Sequence, residues 1–332
     1  MTLKVGINGF GRIGRSVLRA AVEGQYSDIE IVAINDLGDI DTNCHLLNYD
    51  SIHGRLNPAA QIIDGQLAVG PYHIRLTAER DPSAINWDGV DVVMECTGIF
   101  TNREKAALHL RDHVKHVLIS APGTNADMTT VFGVNHERIT KDHQIVSNAS
   151  CTTNCLSPVA KVLHDTIGIK TGYMTTVHAY TGDQCLQDSL HKDMRRARAA
   201  ALSMVPTATG AARAVGLVLP DLLGKIDGSA IRVPTANVSV IDFKFMPERQ
   251  TSIEEVNQLL TQAANGPMKG VLGVTDKPLV SVDFNHDSHS SIVALDQTAV
   301  TTDGMVRVMS WYDNEWGFSN RMLDVARHLS TL

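Results

Sequence analysis

An α/β architecture in two parts follows from three features of the sequence. At 332 residues the chain exceeds one ordinary core and suits two domains. Its first half alternates short, wholly apolar runs with helical stretches, as strands buried on both faces of a mostly parallel sheet require. Its second half changes to longer, alternating runs, which predict an α+β domain on a mostly antiparallel sheet. The spacing places the first domain at 1–150 and the second at 151–315, with 316–332 as a C-terminal helix joined to the first domain.

In chain order, strands are predicted at Leu3–Ile7, Ile29–Ile34, Val90–Cys96, Val117–Ser120 and Ile145–Ser147, with a helix over Arg12–Glu23. In the second half the strands are Gly172–Tyr180, Ser229–Phe245, Val280–Asp283 and Val306–Tyr312. Helical spacing covers Thr209–Leu219, Ser252–Ala264 and Ser319–Leu329, the last carrying Met322, Leu323, Val325, Ala326 and Leu329 on one face.

Composition narrows the function. Lys plus Arg number 29 against 36 Asp plus Glu, and the net charge of -7 gives no strong attraction for a phosphate polymer or an anionic bilayer. No dedicated nucleic-acid or membrane role is expected. The opening MTLKVGINGF lacks the basic-then-apolar pattern of a secretory leader, which predicts a cytoplasmic chain. The five cysteines are Cys44, Cys96, Cys151, Cys155 and Cys185, an odd set without C-x-x-C spacing; neither a disulfide framework nor a metal site is predicted.

After the first strand comes Asn8-Gly9-Phe10-Gly11-Arg12-Ile13-Gly14, a G-x-G-x-x-G between strand and helix. Gly9 permits a tight turn, Gly11 lets a pyrophosphate approach the backbone, and Gly14 lets helix and strand pack closely. Asp36 ends the second strand, 22 residues after Gly14, where a carboxylate accepts the ribose hydroxyls and repels a 2′-phosphate. A Rossmann-type dinucleotide-binding domain that takes NAD is therefore predicted.

Ser147-Asn148-Ala149-Ser150-Cys151-Thr152-Thr153-Asn154-Cys155 follows an apolar strand and runs into a helical pattern. Cys151 thus falls at a helix N-terminus, where the dipole and free N–H groups favour thiolate over thiol. Cys155 lies one turn on and is predicted to be a half-buried core residue. Cys44 and Cys96 also read as core, and Cys185 as a loop residue with nothing near it to activate it. A nucleophilic thiol needs a proton acceptor that works at neutral pH. His178, at the end of a strand, suits that task and equally suits a structural hydrogen bond.

Six ordered segments carry a family resemblance: Asn8–Arg15 (NGFGRIGR), Ser147–Cys155 (SNASCTTNC), Thr176–Asp183 (TVHAYTGD), Pro206–Gly216 (PTATGAARAVG), Arg232–Asn237 (RVPTAN) and Trp311–Gly317 (WYDNEWG). Together they resemble the phosphorylating glyceraldehyde-3-phosphate dehydrogenases, from residue 2 to the C-terminal helix. The resemblance implies Cys151 as nucleophile and His178 as its base. It implies Thr181 and Arg232 on the phosphate of glyceraldehyde 3-phosphate, and Ser150, Thr152, Arg196, Thr209 and Gly210 around the attacking inorganic phosphate. It carries NAD contacts onto Arg12, Ile13, Asp36, Arg80 and Ser120, with Asn314 on the nicotinamide carboxamide. A homotetramer is implied as well, with the Asp183–Ala208 segment reaching a neighbouring subunit. At Ser189-Leu190, before His191, the chain departs from the Leu-Pro common in NAD-specific members, which implies a looser exclusion of NADP.

Three other readings compete. Erythrose-4-phosphate dehydrogenase shares the Cys–His pair and the Val280–His286 and Trp316–Asp324 segments, but His178–Thr181 and Thr207–Gly210 resemble the phosphate-using enzyme. A non-catalytic NAD-binding interaction protein predicts decay of nucleophile, base or anion ligands, and all are present. A cysteine hydrolase leaves the dinucleotide signature without a purpose.

Overall fold

The computed structural model describes residues 2–24, 26–111 and 113–332. The chain divides into two compact units: one holds the residues through Phe132, His136–Ser150 and Ser319–Leu332, and the other holds Gly133–Asn135 and Cys151–Phe318.

Among the described residues of the first unit, nine strands form one sheet. The central strands Val92–Glu95, Leu3–Asn8 and Ile29–Asn35 pair in parallel, flanked on one side by His116–Ile119 and Ile145–Ser147 and on the other by Tyr72–Thr77. Val5, Ile7, Ile31, Ile34 and Val93 are fully buried, so alternation is lost because both faces are covered. The helix Arg12–Glu23 buries Gly14, Val17, Leu18 and Ala21 and ends before Gly24. The helix Trp316–Leu329 contributes its later turns to this unit: Tyr26 Oη donates to the Asn320 carbonyl at 3.2 Å, and Arg327 pairs with Asp28.

In the second unit the strand order is Val205–Ala208, Ile226–Val233, Ile169–Ala179, Ser239–Pro247, Val306–Tyr312, Ser291–Ala294, Leu272–Thr275. The central pairings are antiparallel; Ile169–Ala179 with Ile226–Val233, and Leu272–Thr275 with Ser291–Ala294, are parallel. The helix Cys151–Ile167 packs on the sheet, with Val159 and Leu163 in one buried cluster with Phe243 and Val308.

Two expected strands differ. The run expected at Ser229–Phe245 is two strands, Ile226–Val233 and Ser239–Pro247. Pro234 lacks the N–H a ladder needs, and Val238 takes a left-handed φ of 66°, so the chain turns there although apolar alternation continues. The stretch Val280–Asp283, expected as a strand, falls in a 3-10 turn over Ser281–Phe284. The Asp283 carboxylate accepts the Val280 N–H at 2.8 Å, and Val280 and Val282 stay exposed, so a side chain has taken the place of a strand partner. No helix among the described residues is long and apolar enough to cross a membrane.

Candidate active site

The glycine turn in the first unit is built almost wholly from backbone. Gly9 has φ +90°, and a Cβ there would lie 2.7 Å from the Thr97 nitrogen. At Gly14 a Cβ would lie 2.2 Å from the Gly9 carbonyl oxygen, so helix and turn meet as closely as two backbones can. At Gly11 a Cβ would meet nothing within 4 Å, and no side chain caps the helix that starts after it. That space at an uncapped helix start fits a pyrophosphate.

A cavity of about 360 Å³ adjoins the turn, lined in part by Gly9, Gly11, Asp36, Arg80 and Thr97. Asp36 accepts the Phe10 N–H at 2.7 Å on Oδ2 and the Gly38 N–H at 2.8 Å on Oδ1. Asn43 Nδ2 also donates to Oδ1 at 3.3 Å; a carboxylate has about four acceptor positions, so one is left for a ribose hydroxyl, and a second hydroxyl would take the place of the long Asn43 contact. Ile13 is half-buried on the same helix, and the Ser120 N–H donates to the Glu95 carbonyl at 3.0 Å. Arg12 pairs with Asp50; burial works against that carboxylate, but the guanidinium and the Ile52 and His53 N–H groups hold it down at about 2. A row of side-chain amides, which the sequence reading missed, ties the strand ends beneath the turn. Asn35 Nδ2 donates to Asn8 Oδ1 at 2.9 Å, and Asn8 Nδ2 donates to Glu95 Oε2 at 2.6 Å.

In the second unit the strand Ile169–Ala179 brings His178 beside Cys151, the first residue of its helix, with Sγ to Nε2 3.6 Å. His178 Nδ1 lies 2.6 Å from the Ala179 carbonyl oxygen. Nδ1 also lies 3.0 Å from Arg232 Nη1, so the carbonyl draws a proton onto Nδ1 while the guanidinium favours a lone pair there; in the Nδ1-protonated tautomer Nε2 presents a lone pair to the sulfur. Arg232, directly across the parallel ladder from His178, donates Nη1 to the same carbonyl at 2.8 Å and to Thr181 Oγ1 at 3.4 Å. Arg232 forms no ion pair among the described residues, and its Nε is buried without a hydrogen-bond partner. A half-buried, uncompensated guanidinium next to a thiol is an anion site waiting for its ligand.

Charge states follow from burial. Burial, then the Arg232 charge, push the His178 imidazole down to about 3. Burial also raises the Cys151 thiol, against the pull of Arg232 and the Thr152 hydrogen bonds. The helix N-terminus that favours a thiolate at Cys151 is thus opposed by burial, which pulls the thiol the other way. Cys155 is fully buried rather than half-buried, bonded to Ser291 and Ser310, and pushed up to about 12.

The other expected ligands are placed as follows. Thr152 Oγ1 lies 2.8 Å from Tyr312 Oη, which also lies 2.9 Å from Thr176 Oγ1. Tyr312, edge-on to the His178 ring at 5.9 Å, is a pocket residue that sequence reasoning missed, although it stands within the Trp311–Gly317 segment. Arg196 pairs with Asp183 and donates Nε to Thr207 Oγ1 at 3.0 Å, so it is held by acids and a hydroxyl rather than left open. Gly210 caps the helix Ala211–Val218, and Thr209 Oγ1 accepts the Ala211 N–H at 3.1 Å. Asn314 is 6% exposed and its Oδ1 accepts from Ser239 Oγ at 2.8 Å. Ser150 immediately precedes Cys151 in the chain.

Comparison with known proteins fits this geometry. Residues 3–103 match the family model described as glyceraldehyde 3-phosphate dehydrogenase, NAD binding domain, and residues 150–314 match the corresponding C-terminal domain. The chain belongs to the glyceraldehyde 3-phosphate dehydrogenase family. It is similar to the glyceraldehyde-3-phosphate dehydrogenase of Cereibacter sphaeroides, 62% identical over 326 residues covering 98% of each chain. It is also similar to that of Xanthobacter flavus, 60% identical over 328 residues with 98% of each covered. The Geobacillus stearothermophilus enzyme of the same name is 53% identical over 334 residues, covering 100% of this chain and 99% of the other. As a member of this family the chain is an NAD-dependent oxidoreductase, and the open glycine turn and Asp36 fit that cofactor.

Proposed function

We propose that the chain oxidises glyceraldehyde 3-phosphate with NAD and inorganic phosphate to 1,3-bisphosphoglycerate, through covalent intermediates on Cys151. The observation that carries this is the 3.6 Å approach of Cys151 Sγ to His178 Nε2 beside the uncompensated Arg232. The residues through Ser150 then form the NAD-binding part and those from Cys151 the catalytic part.

Arg232 and Thr181 hold the substrate phosphate and so set the aldehyde carbon over the sulfur. The sulfur attacks that carbon while its proton passes to His178 Nε2 and on to the carbonyl oxygen, giving a hemithioacetal. The Cys151 backbone N–H, at the helix start, stabilises the developing oxyanion. NAD, when bound, supplies the hydride acceptor. His178 Nε2 takes the hydroxyl proton as the thioester forms, which keeps the carbon activated for attack. Ser150, Thr152, Arg196, Thr209 and Gly210 hold the inorganic phosphate, whose oxygen attacks the thioester carbon and expels the Cys151 sulfur. Arg196 exchanges part of its contact with Asp183 for that anion.

Arg12, Ile13, Arg80 and Ser120 contact the dinucleotide with the glycine turn, Asp36 takes the ribose hydroxyls, and Asn314 holds the nicotinamide carboxamide. The chain works in the cytoplasm as a homotetramer. In support, Leu186, Leu190, Met194, Leu202 and Met204 expose apolar side chains along one segment, which suits burial by another subunit. A catalytic thiol also suits a reducing compartment.

NADH absorbance after mixing with glyceraldehyde 3-phosphate tests the reading. Without phosphate, one NADH per site should appear in a burst; with phosphate, turnover should continue. Absence of a burst, or turnover that ignores phosphate and releases the free acid, would overturn it.

A further inference from the structure

Ser239 opens the strand Ser239–Pro247, pairs across the ladder with Tyr312 and is 1% exposed. Its Oγ accepts the Ala179 N–H at 3.0 Å and lies 2.8 Å from Asn314 Oδ1. A hydroxyl has one proton and two acceptor positions, whereas an N–H only donates and an amide oxygen only accepts. The single Ser239 proton is therefore committed to Asn314 Oδ1. This turns the Asn314 amide so that Nδ2 faces away from Ser239, and Nδ2 has no hydrogen-bond partner among the described residues. A side chain that is 6% exposed thus keeps an unspent donor, oriented by a serine that nothing in the reaction touches.

The other half of the contact leads to the base. The Ala179 N–H is fixed by Ser239, and its carbonyl oxygen lies 2.6 Å from His178 Nδ1 and accepts Arg232 Nη1–H at 2.8 Å. One residue, Ala179, therefore separates Ser239 from the imidazole and the guanidinium. Removing the hydroxyl would leave a buried N–H and a buried amide oxygen both unpaired.

We propose that Ser239 is a positioning residue for hydride transfer, holding the Asn314 amide with Nδ2 towards the nicotinamide carboxamide oxygen and fixing the Ala179 peptide that orients His178. This rests on the roles given above to Asn314 and His178. Without the serine the Asn314 amide turns over and sets oxygen against oxygen, so the nicotinamide loses its single orientation over the substrate carbon.

The test is a double-mutant cycle of Ser239→Ala and Asn314→Ala. The hydride-transfer burst is followed with glyceraldehyde 3-phosphate carrying hydrogen or deuterium at C1, together with NAD affinity and thermal unfolding. Ser239→Ala should slow the burst about tenfold, the size of one lost oriented hydrogen bond. It should raise the deuterium isotope effect and leave the KM for glyceraldehyde 3-phosphate within about twofold. Ser239→Thr, which restores the hydroxyl, should recover most of the rate. On the Asn314→Ala background Ser239→Ala should slow the burst by less than the roughly tenfold effect seen alone, since only its hold on the Ala179 peptide is left to lose; an undiminished effect there would overturn the Asn314 half of the role. A burst within twofold of wild type in Ser239→Ala, while Asn314→Ala is slow, would overturn the role of Ser239 alone. Normal burst rates in Asn314→Ala would overturn the reading of Asn314 as well. If Ser239→Ala does not fold, Ser239→Cys keeps the volume with a weak donor and is judged by the same rates.

Discussion

The glycine turn of the first unit and the thiol pocket of the second reach a charged ligand by opposite routes. The turn uses what it lacks: Gly11 leaves space, no side chain caps the helix start, and the Asp36 carboxylate stands at the edge. The pocket uses what it buries. Desolvation lowers the His178 imidazole and raises the Cys151 thiol, and Arg232 stands without a counter-ion among the described residues. Backbone recognition tolerates little change in shape, whereas a buried side-chain pocket tolerates little change in charge or hydrogen bonding.

That contrast breaks most sharply at Cys151. Cys151→Ser should bring NADH formation to background, because a serine hydroxyl is not ionised by a neutral imidazole as a thiol is, while NAD affinity stays within about twofold. Loss of both together would mean that the pocket and the turn are not separate machines. The converse is Gly14→Ala. Its Cβ would sit 2.2 Å from the Gly9 carbonyl, so the turn must open. NAD affinity should fall by about a hundredfold or more, with iodoacetamide reaction at Cys151 in the absence of cofactor unchanged.

Asp36 sharpens the comparison, since it is the charge the turn sets beside the ribose. A 2′-phosphate beside it costs about 1–3 kcal/mol, so Asp36→Ala should move the NADP-to-NAD ratio of kcat/KM about tenfold to a hundredfold towards NADP. An unmoved ratio would transfer cofactor choice to another residue, with Ser189 and Leu190 the first to test.

The smallest effect expected is on stability. His178 has an ordinary value of 6.5 and is held near 3 in the folded chain, so between those values the unfolded chain binds more protons. Stability from this group is therefore present above 6.5 and is lost as pH falls towards 3. His178→Asn should lose less stability than wild type between pH 7 and pH 4, as read from urea midpoints; equal losses would place the imidazole in a wetter site.

Much of the turn was legible because its parts are close in sequence or at a fixed offset. Strand, G-x-G-x-x-G, helix and Asp36 fall within 36 residues, and each glycine has a steric task that no other residue performs. The pocket was legible only in part. Cys151 and His178 stood out by residue type and by their segments, but their charge states did not, since the helix N-terminus seen in sequence competes with burial that only packing sets. Val280–Asp283 misled for a related reason: the alternation was real, but Asp283 captured the backbone before any neighbouring strand could.

The sequence by itself determined the alternation of buried strands and helices, the open turn and the choice of Cys151 as the proposed nucleophile, because these rest on local sterics and on side-chain type. Tertiary structure alone decided that Arg232 stands across the ladder from His178, that Tyr312 reaches between Thr152 and Thr176, and that Ser239 holds Asn314 and Ala179 at once. Those contacts join residues up to 160 positions apart, set by strand register and burial, and neither quantity is written in any short segment of the chain.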